Sequence, residues 1–524
     1  MRHTMNELQR RDLLRAALSM AVLPWGQLGA QQVAAPRWKR DPFSLGVASG
    51  QPRPDSVVLW TRLLPGADEA AVLARMPSVT VDYEVFADAA LLQPLRKGQV
   101  QALAARAHSV HVPLRSLQAG RDYWYRFQCA NATSPVGHTR TAPAEGAKPE
   151  RLRLALASCQ HWEHGHYAAH RDIARQDLDF VLFVGDYIYE GTGRMDSVRS
   201  HGGGAPRTLD EYRARHALYK SDPALQAAHA AHPWVMTWDD HEVINDYAND
   251  RDQAFSDPAL FLQRRASAYQ AYFEHMPLMP PGDSVWGSAA MRIHDRFVWG
   301  DLAELWTLDN RQHRSHHACP DPYRGGGRLV LDCAELQDPQ RSMLGQAQER
   351  WLAQGLSAST RSWKLLAQGT QMAPSGVEAL SGMRATYTDG WDGYPQARKR
   401  LMGAIQQAGL RDAIALGGDV HYNEAGNLRL VPNDPRSPVL ASEFVTTSIS
   451  SRGMANARLQ TLQESNPDMV YARSDQRGYA LLEITPAQAL CQFRATSQPE
   501  REDAALAVQA RYAVERGRAG VQRA

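Results

Sequence analysis

The sequence predicts an α/β fold from about residue 150 to the C-terminus, preceded by a small β-sandwich. Three observations carry this. Short apolar runs such as Leu152–Ala157, Phe180–Val184, Val235–Trp238, Trp363–Ala367 and Ile414–Leu416 alternate with helix-length segments. Ahead of them, short β segments are separated by turn residues at the intervals of a small sandwich. At 524 residues the chain also exceeds a single core, since cores stop growing near roughly 250–300 residues. A hydrophobic share of 44%, a charged share of 22% and a mean hydropathy of -0.46 exclude a disordered chain, a rod and a multi-span membrane protein.

In chain order, residues 1–30 come first. Arg10-Arg11-Asp12-Leu13-Leu14 precedes a short apolar stretch, Ala16–Leu23, and then Leu28-Gly29-Ala30. This pattern resembles a twin-arginine (Tat) leader, so the Tat export machinery is an expected partner and the expected location is periplasmic or secreted. The apolar run is shorter than the ~20 residues needed to span a bilayer. The formal charge of +2 belongs to this segment: residues 31–524 hold 54 basic and 54 acidic side chains. Nothing electrostatic therefore points to nucleic acid or an anionic membrane as a specific partner.

Residues 41–145 read as the β-sandwich, with strands expected at Ser56–Arg62, Val79–Phe86, His108–Leu114, Tyr123–Gln128 and Val136–Thr141. Leu117-Gln118-Ala119-Gly120 with Tyr123 resembles the tyrosine corner of fibronectin-III-like modules. Ala142–Pro149 reads as a linker. From residue 150 to 524, buried strands alternate with helices expected at Tyr167–Gln176, Leu209–Lys220, Phe261–His275, Gln346–Leu356 and Ala397–Ala408. Two Gly/Pro/His-rich loops, 191–207 and 312–335, are long enough to fold over a site. Of five cysteines, Cys319 and Cys333 flank a Pro/Gly-rich loop suited to a local disulfide, and Cys129 and Cys491 read as buried thiols.

The strand ends carry the chemistry. Ser158-Cys159, Gly185-Asp186 with Tyr189, Asp239-Asp240-His241-Glu242, Asp309-Asn310-Arg311, Gly369-Thr370-Gln371 and Gly418-Asp419-Val420-His421 each follow an apolar run. Active sites of α/β folds assemble at that edge. A bridging carboxylate such as Asp186 suits two cations, one soft half with Cys159 and Tyr189 and one hard, oxygen-liganded half. The nearby histidines 161, 164 and 166, and 313, 316 and 317, lie in loop sequence and read as solvated.

These motifs resemble a known family. Gly185-Asp186-x-x-Tyr189 is similar to the motif of purple acid phosphatases in the calcineurin-like metallophosphoesterase superfamily. The Ser158-Cys159-Gln160, Asp239–Val243, Leu308–Arg311, Asp389–Tyr394 and Gly417–His421 blocks, with Gly46–Gly50 and Val58–Arg62, resemble PhoD-type alkaline phosphatases. The resemblance implies a metallophosphoesterase-type α/β sandwich behind a fibronectin-III-like domain. It implies ferric iron (Fe3+) on Cys159, Asp186, Tyr189 and His421, and calcium (Ca2+) on Asp186, Asp240, Asn245 and Asp419. The division of Asp419 and His421 between the two metals stays open at this point.

The chemistry expected from such a centre is attack of a metal-bound hydroxide on a phosphate ester. His241 is expected to act as general acid, and Arg311 to offer a planar fork to phosphate or to pair with a carboxylate. The leading expectation is a monomeric, exported phosphomonoesterase acting on phosphate ester substrates. A phosphodiesterase or phospholipase D-type hydrolase is the alternative, and a non-catalytic surface-binding protein a third.

Overall fold

The computed structural model describes residues 37–192, 196–282, 286–288, 290–379 and 382–524; the expected leader at 1–30 lies outside them. The apolar runs form two large mixed sheets. The first has ten strands, in the order 522–523, 507–515, 488–496, 477–484, 152–157, 180–184, 233–237, 47–50, 57–62 and 109–114. The second has seven: 295–299, 303–307, 363–367, 413–417, 439–445, 423–429 and 469–473. Parallel pairing runs through the centre of both, as in Val184↔Thr237 and Gly417↔Val445, so the strand C-termini share one edge within each sheet.

Alternation decides which face each side chain serves. Leu152, Leu154, Leu156, Leu182 and Val184 meet Leu365, Ile414, Leu416 and Phe444 in a core between the two sheets. Their neighbours Ala155, Val181, Phe183 and Met236 point the other way, into a core with Tyr212, Leu225, Ala268 and Tyr272 on the helices Leu209–Lys220, Pro223–Ala231 and Pro258–His275. On the far side, Leu366, Ala413 and Ala415 pack under Leu352, Leu356, Met402 and Ile405 of Gln346–Ala358 and Pro395–Gln407. Burial on both faces is why these strands read as continuous apolar runs rather than alternating ones. Among the described residues, no helix is long and apolar enough to cross a membrane.

The N-terminal strands make two layers over a core containing Val47, Leu59, Val81, Val112, Tyr125 and Phe127. One layer is the sheet of Pro94–Leu103, Ser78–Phe86 and Asp122–Cys129 with its short partners 132–133 and 137–140. The other is the strands 47–50, 57–62 and 109–114, which continue the ten-stranded sheet: Ser49 pairs in parallel with Pro233. The polypeptide leaves one layer of its β region inside the larger sheet, so the change expected near residues 145–150 is not a break in hydrogen bonding. The Pro94–Leu103 strand had no sequence signal because it is an edge strand, largely exposed and rich in Arg, Lys and Gln. Tyr123 does make the expected corner, donating from its hydroxyl to Gln118 O at 3.2 Å.

Candidate metal centre

The strand ends are locked together by main-chain bonds between loops. Cys159 N–H donates to Gly185 O at 3.2 Å, Gly418 N–H to Gly369 O at 2.9 Å, and Leu308 N–H to Ala367 O at 2.8 Å. Gly185 permits a close approach: its φ is +112°, and a Cβ there would lie 2.5 Å from the Cβ of Asp239. Glu242 ties the same region from below, accepting the main-chain N–H groups of Asp186, Tyr187 and Asp239 at 3.2, 2.6 and 2.9 Å. Burial pushes its carboxyl up to about 7.

Four residues of the resulting edge have left-handed backbones although none is glycine: Cys159 (φ 60°), Asp186 (59°), Asp419 (66°) and His421 (60°). Such a conformation costs about 1–3 kcal/mol at each position and persists only where the surroundings impose it. Each turn aims its side chain inward. Cys159, Asp186 and His421 offer ligand atoms within 4.8 Å of one another. Tyr189 joins them, its hydroxyl donating to Asp186 Oδ2 at 2.9 Å and lying 3.1 Å from His421 Nε2. His421 Nδ1 donates to Arg452 O at 2.8 Å, which fixes the tautomer and leaves the Nε2 lone pair facing the cluster.

Asp186 also belongs to two further groups, one with Asp240 and His241 and one with Asp239 and Asp419. Asp419 accepts from the Thr370 hydroxyl at 2.7 Å. His421 therefore sides with Cys159, and Asp419 with the carboxylates. Asn245 lies nearby, its main-chain N–H held by Glu190 Oε1 at 2.9 Å, and its side chain takes no hydrogen-bond partner among the described residues.

A fourth group, Asp240, Asp246 and Asp389, was not singled out from sequence. The only available signal was the position of Asp389 in the Asp-Gly-Trp-Asp-Gly-Tyr stretch. Trp391 and Tyr394 of that stretch are buried packing residues: Trp391 Nε1–H donates to Gln368 Oε1 at 3.0 Å and the Tyr394 hydroxyl to Ser315 O at 2.7 Å.

These residues fit cations. Asp240 Oδ1 is buried with no hydrogen-bond partner, an arrangement that is costly unless something positive occupies it. Burial, then the charges of neighbouring carboxylates, pushes Asp186 and Asp419 well above the usual carboxylate range and Asp246 up to about 7. Burial does the same to the Cys159 thiol. The donor set, one thiol, one phenol and one imidazole on one side of Asp186 and carboxylate oxygens on the other, matches a transition metal beside a hard cation.

His241 stands at the mouth, its side chain 18% exposed. Its Nδ1 lies 2.6 Å from buried Glu190 Oε2, and its ring packs on Tyr189 at 4.1 Å. Burial alone would lower its pKa, but Glu190, Asp240 and Asp186 carry it well above the ordinary histidine range. Glu190 was missed in the sequence because only the fold brings it to His241.

Arg311 departs from one of its expected roles. It is fully buried, forked onto Asp239 with Nη2 2.8 Å from Oδ2, and its Nη1 donates to both oxygens of Asp389 at 3.0 Å. Its donors are spent on carboxylates and none faces solvent, so it organises acids rather than offering a fork outward. Two of the loop histidines read as solvated are likewise buried: His161 stacks on His164 at 3.7 Å beside Tyr189, and His317 Nε2 lies 2.7 Å from Asp389 Oδ1. The segment after Gln498 also reaches this region, Pro499 O accepting from His166 N–H at 2.7 Å before the chain returns to the sheet.

Comparison with known proteins adds a second line. Residues 154–493 match the PhoD-like phosphatase profile and residues 29–143 match the PhoD-like phosphatase N-terminal domain. The chain is 39% identical over 536 aligned positions to alkaline phosphatase D of Bacillus subtilis (strain 168), covering 99% of this chain and 89% of that protein. A solved structure titled "Structure of PhoD" superposes with a TM-score of 0.86 at 39% identity, covering 93% of each chain.

Proposed function

This chain belongs to the PhoD-like phosphatase family and is a phosphatase, and from that premise we propose that it hydrolyses phosphate monoesters and releases orthophosphate. The observation that carries the reading is the shared carboxylate: Asp186 contributes to the Cys159/His421 group and to both the Asp240 and Asp419 groups. We assign Fe3+ to Cys159, Asp186, Tyr189 and His421, and Ca2+ to Asp186, Asp240, Asn245 and Asp419. When bound, such ions supply the Lewis acidity that makes water nucleophilic and neutralises phosphate charge.

The chain's own residues do the rest. Glu190 holds His241 by Nδ1, so Nε2 is the nitrogen left to protonate a departing alkoxide. Cations on Asp186 and Asp240 would withdraw part of the support for the imidazolium, leaving Glu190 as its lasting partner. Arg311 and Glu242 keep the acidic strand ends in place, one by charge and one by accepting main-chain N–H groups. The N-terminal part reads as fibronectin-III-like, supported by the Tyr123 corner. Tat-dependent export to the periplasm or beyond, and a monomeric state, belong to the same reading.

The test is direct. Purified protein loaded with iron and calcium is offered p-nitrophenyl phosphate and bis-p-nitrophenyl phosphate in parallel. A monoester preference that is lost on calcium chelation is the expected result. A diester preference would make the protein a phosphodiesterase, and inactivity toward both at full metal occupancy would overturn the catalytic reading.

A further inference from the structure

We propose that Tyr387 contacts the substrate, its hydroxyl donating a hydrogen bond to a non-bridging oxygen of the bound phosphate ester. The inference rests on the phosphatase reading above and names a residue that no motif pointed to.

Tyr387 ends the short strand Arg384–Tyr387, which pairs antiparallel with Leu329–Val330 through Leu329↔Tyr387. That partner strand lies inside the loop closed by the Cys319–Cys333 disulfide. Two further bonds hold the loop to the Tyr387 strand: Thr388 N–H donates to Arg328 O at 3.0 Å, and Arg328 N–H to the Thr388 hydroxyl oxygen at 3.1 Å. The residue before them, Gly327, donates its N–H to Asp246 Oδ2 at 2.9 Å. The phenol crosses directly over this glycine. A Cβ on Gly327 would fall 2.9 Å from both Cζ and Oη of Tyr387, and 2.6 Å from the Cβ of Asp389.

The hydroxyl is thereby placed beside the acidic cluster, where the charges of Asp246, Asp389, Asp419 and Asp240 all reach it. The residue remains 36% exposed, and its hydroxyl takes no hydrogen-bond partner among the described residues. Apart from His241 Nε2 and the Asn245 amide, the donors here are committed: Arg311 to Asp239 and Asp389, Arg314 and His317 to Asp389, Thr370 to Asp419. An anion arriving among carboxylates needs a donor that brings no further negative charge and is not already in use. A neutral phenol on a stapled wall supplies one, with its geometry fixed before substrate arrives.

The experiment uses the full, metal-loaded protein and inorganic phosphate as the probe. Wild type, Tyr387→Phe and Tyr387→Ala are compared for phosphate affinity by calorimetry, for iron and calcium content, and for kcat and KM on p-nitrophenyl phosphate. Tyr387→Phe removes one unpartnered atom. It is expected to keep both metals and to weaken phosphate binding roughly tenfold to a hundredfold, with Tyr387→Ala similar. Wild-type phosphate affinity in Tyr387→Phe would overturn the inference, as would a loss confined to Tyr387→Ala, which would mean that the ring acts by packing. Loss of calcium from Tyr387→Phe would also overturn it, assigning the hydroxyl to the cation instead. Failure of the wild type to hydrolyse any phosphate ester would overturn the phosphatase reading itself, so the two failures are distinct.

Discussion

Tyr189 and His421, 232 positions apart in the chain, meet with hydroxyl and Nε2 3.1 Å apart, and the same hydroxyl leans on Asp186 Oδ2 at 2.9 Å. One sheet supplies the tyrosine and the other the histidine, so the contact closes the seam between the two sheets at their common edge. Both His421 and Asp186 sit in left-handed backbone. The seam is where the fold stores strain, and an ion shared between the two sheets would stabilise it.

Asp186 is the residue common to three ligand groups. Asp186→Ala is expected to lose both metals and to reduce turnover by on the order of a hundredfold or more. Metal content by elemental analysis and kcat on p-nitrophenyl phosphate check this. Retention of one metal at full occupancy would sink the bridging assignment.

His241 and its Glu190 partner should matter in proportion to how much the leaving group needs a proton. His241→Asn is expected to slow hydrolysis of an alkyl phosphate by about 10²–10⁴-fold. It should slow p-nitrophenyl phosphate far less, because p-nitrophenolate departs without a proton. Glu190→Gln should show the same pattern in weaker form. Equal losses on both substrates would show that His241 binds rather than protonates.

The Cys319–Cys333 disulfide spans 14 positions. Cross-linking a loop of that size stabilises a fold by about 3 kcal/mol in the chain-entropy account. Reduction, or a Cys319→Ser/Cys333→Ser double substitution, is expected to lower the denaturation midpoint accordingly. It should also raise KM, since the loop carries Gly327 and pairs with the Tyr387 strand. An unchanged KM together with an unchanged midpoint would refute the role of this staple.

Two buried histidines away from the candidate metal centre set an acid limit. Burial pushes His170 down to about 3 and His232 down to about 4, and the Nδ1 atom of each is buried without a partner. The folded chain refuses protons that the unfolded chain accepts near 6.5, so the unfolded state binds more protons as pH falls. Stability is full above about pH 6.5 and declines toward pH 4, by up to about 1.4 kcal/mol per pH unit for each group. Thermal melts across that range test it. His232→Gln, whose amide N–H can still reach Ile173 O, should flatten the decline, and an unchanged slope would exclude His232 as a contributor.

Much of the candidate site was legible because its residues lie immediately after apolar runs. Cys159, Asp186, Tyr189, Asp240, Asp419 and His421 were found that way, and the structure brings them together. The residues that escaped notice do their work across long sequence gaps. Glu190 reaches His241, Asp246 and Asp389 meet through the fold, and Tyr387 arrives on a strand of four residues. Spacing carries no trace of such meetings. Arg311 shows the opposite difficulty. Its position after a strand was plain, but whether its guanidinium faces an anion in solvent or Asp239 and Asp389 in the interior depends on burial, which only packing decides. The five expected helices were legible for most of their length, whereas Ala67–Leu73, Pro223–Ala231, Asn456–Glu464 and the exposed edge strand Pro94–Leu103 were not.

The parallel pairing of Ser49 with Pro233, and the antiparallel pairing of the Leu152–Ala157 strand with Arg477–Ile484, have a consequence for how the protein is made. On the ribosome, the first strand appears long before its partner. At about 5–20 residues per second, Gly50 waits about ten to forty seconds for Trp234, and Leu156 waits about fifteen to sixty-five for Ala480. Throughout that interval each nascent segment presents an open, apolar edge suited to pairing with the wrong chain. Neither half of the polypeptide can finish alone, so folding must be completed late and jointly, and a holdase that shields these edges during synthesis would raise the yield of native protein.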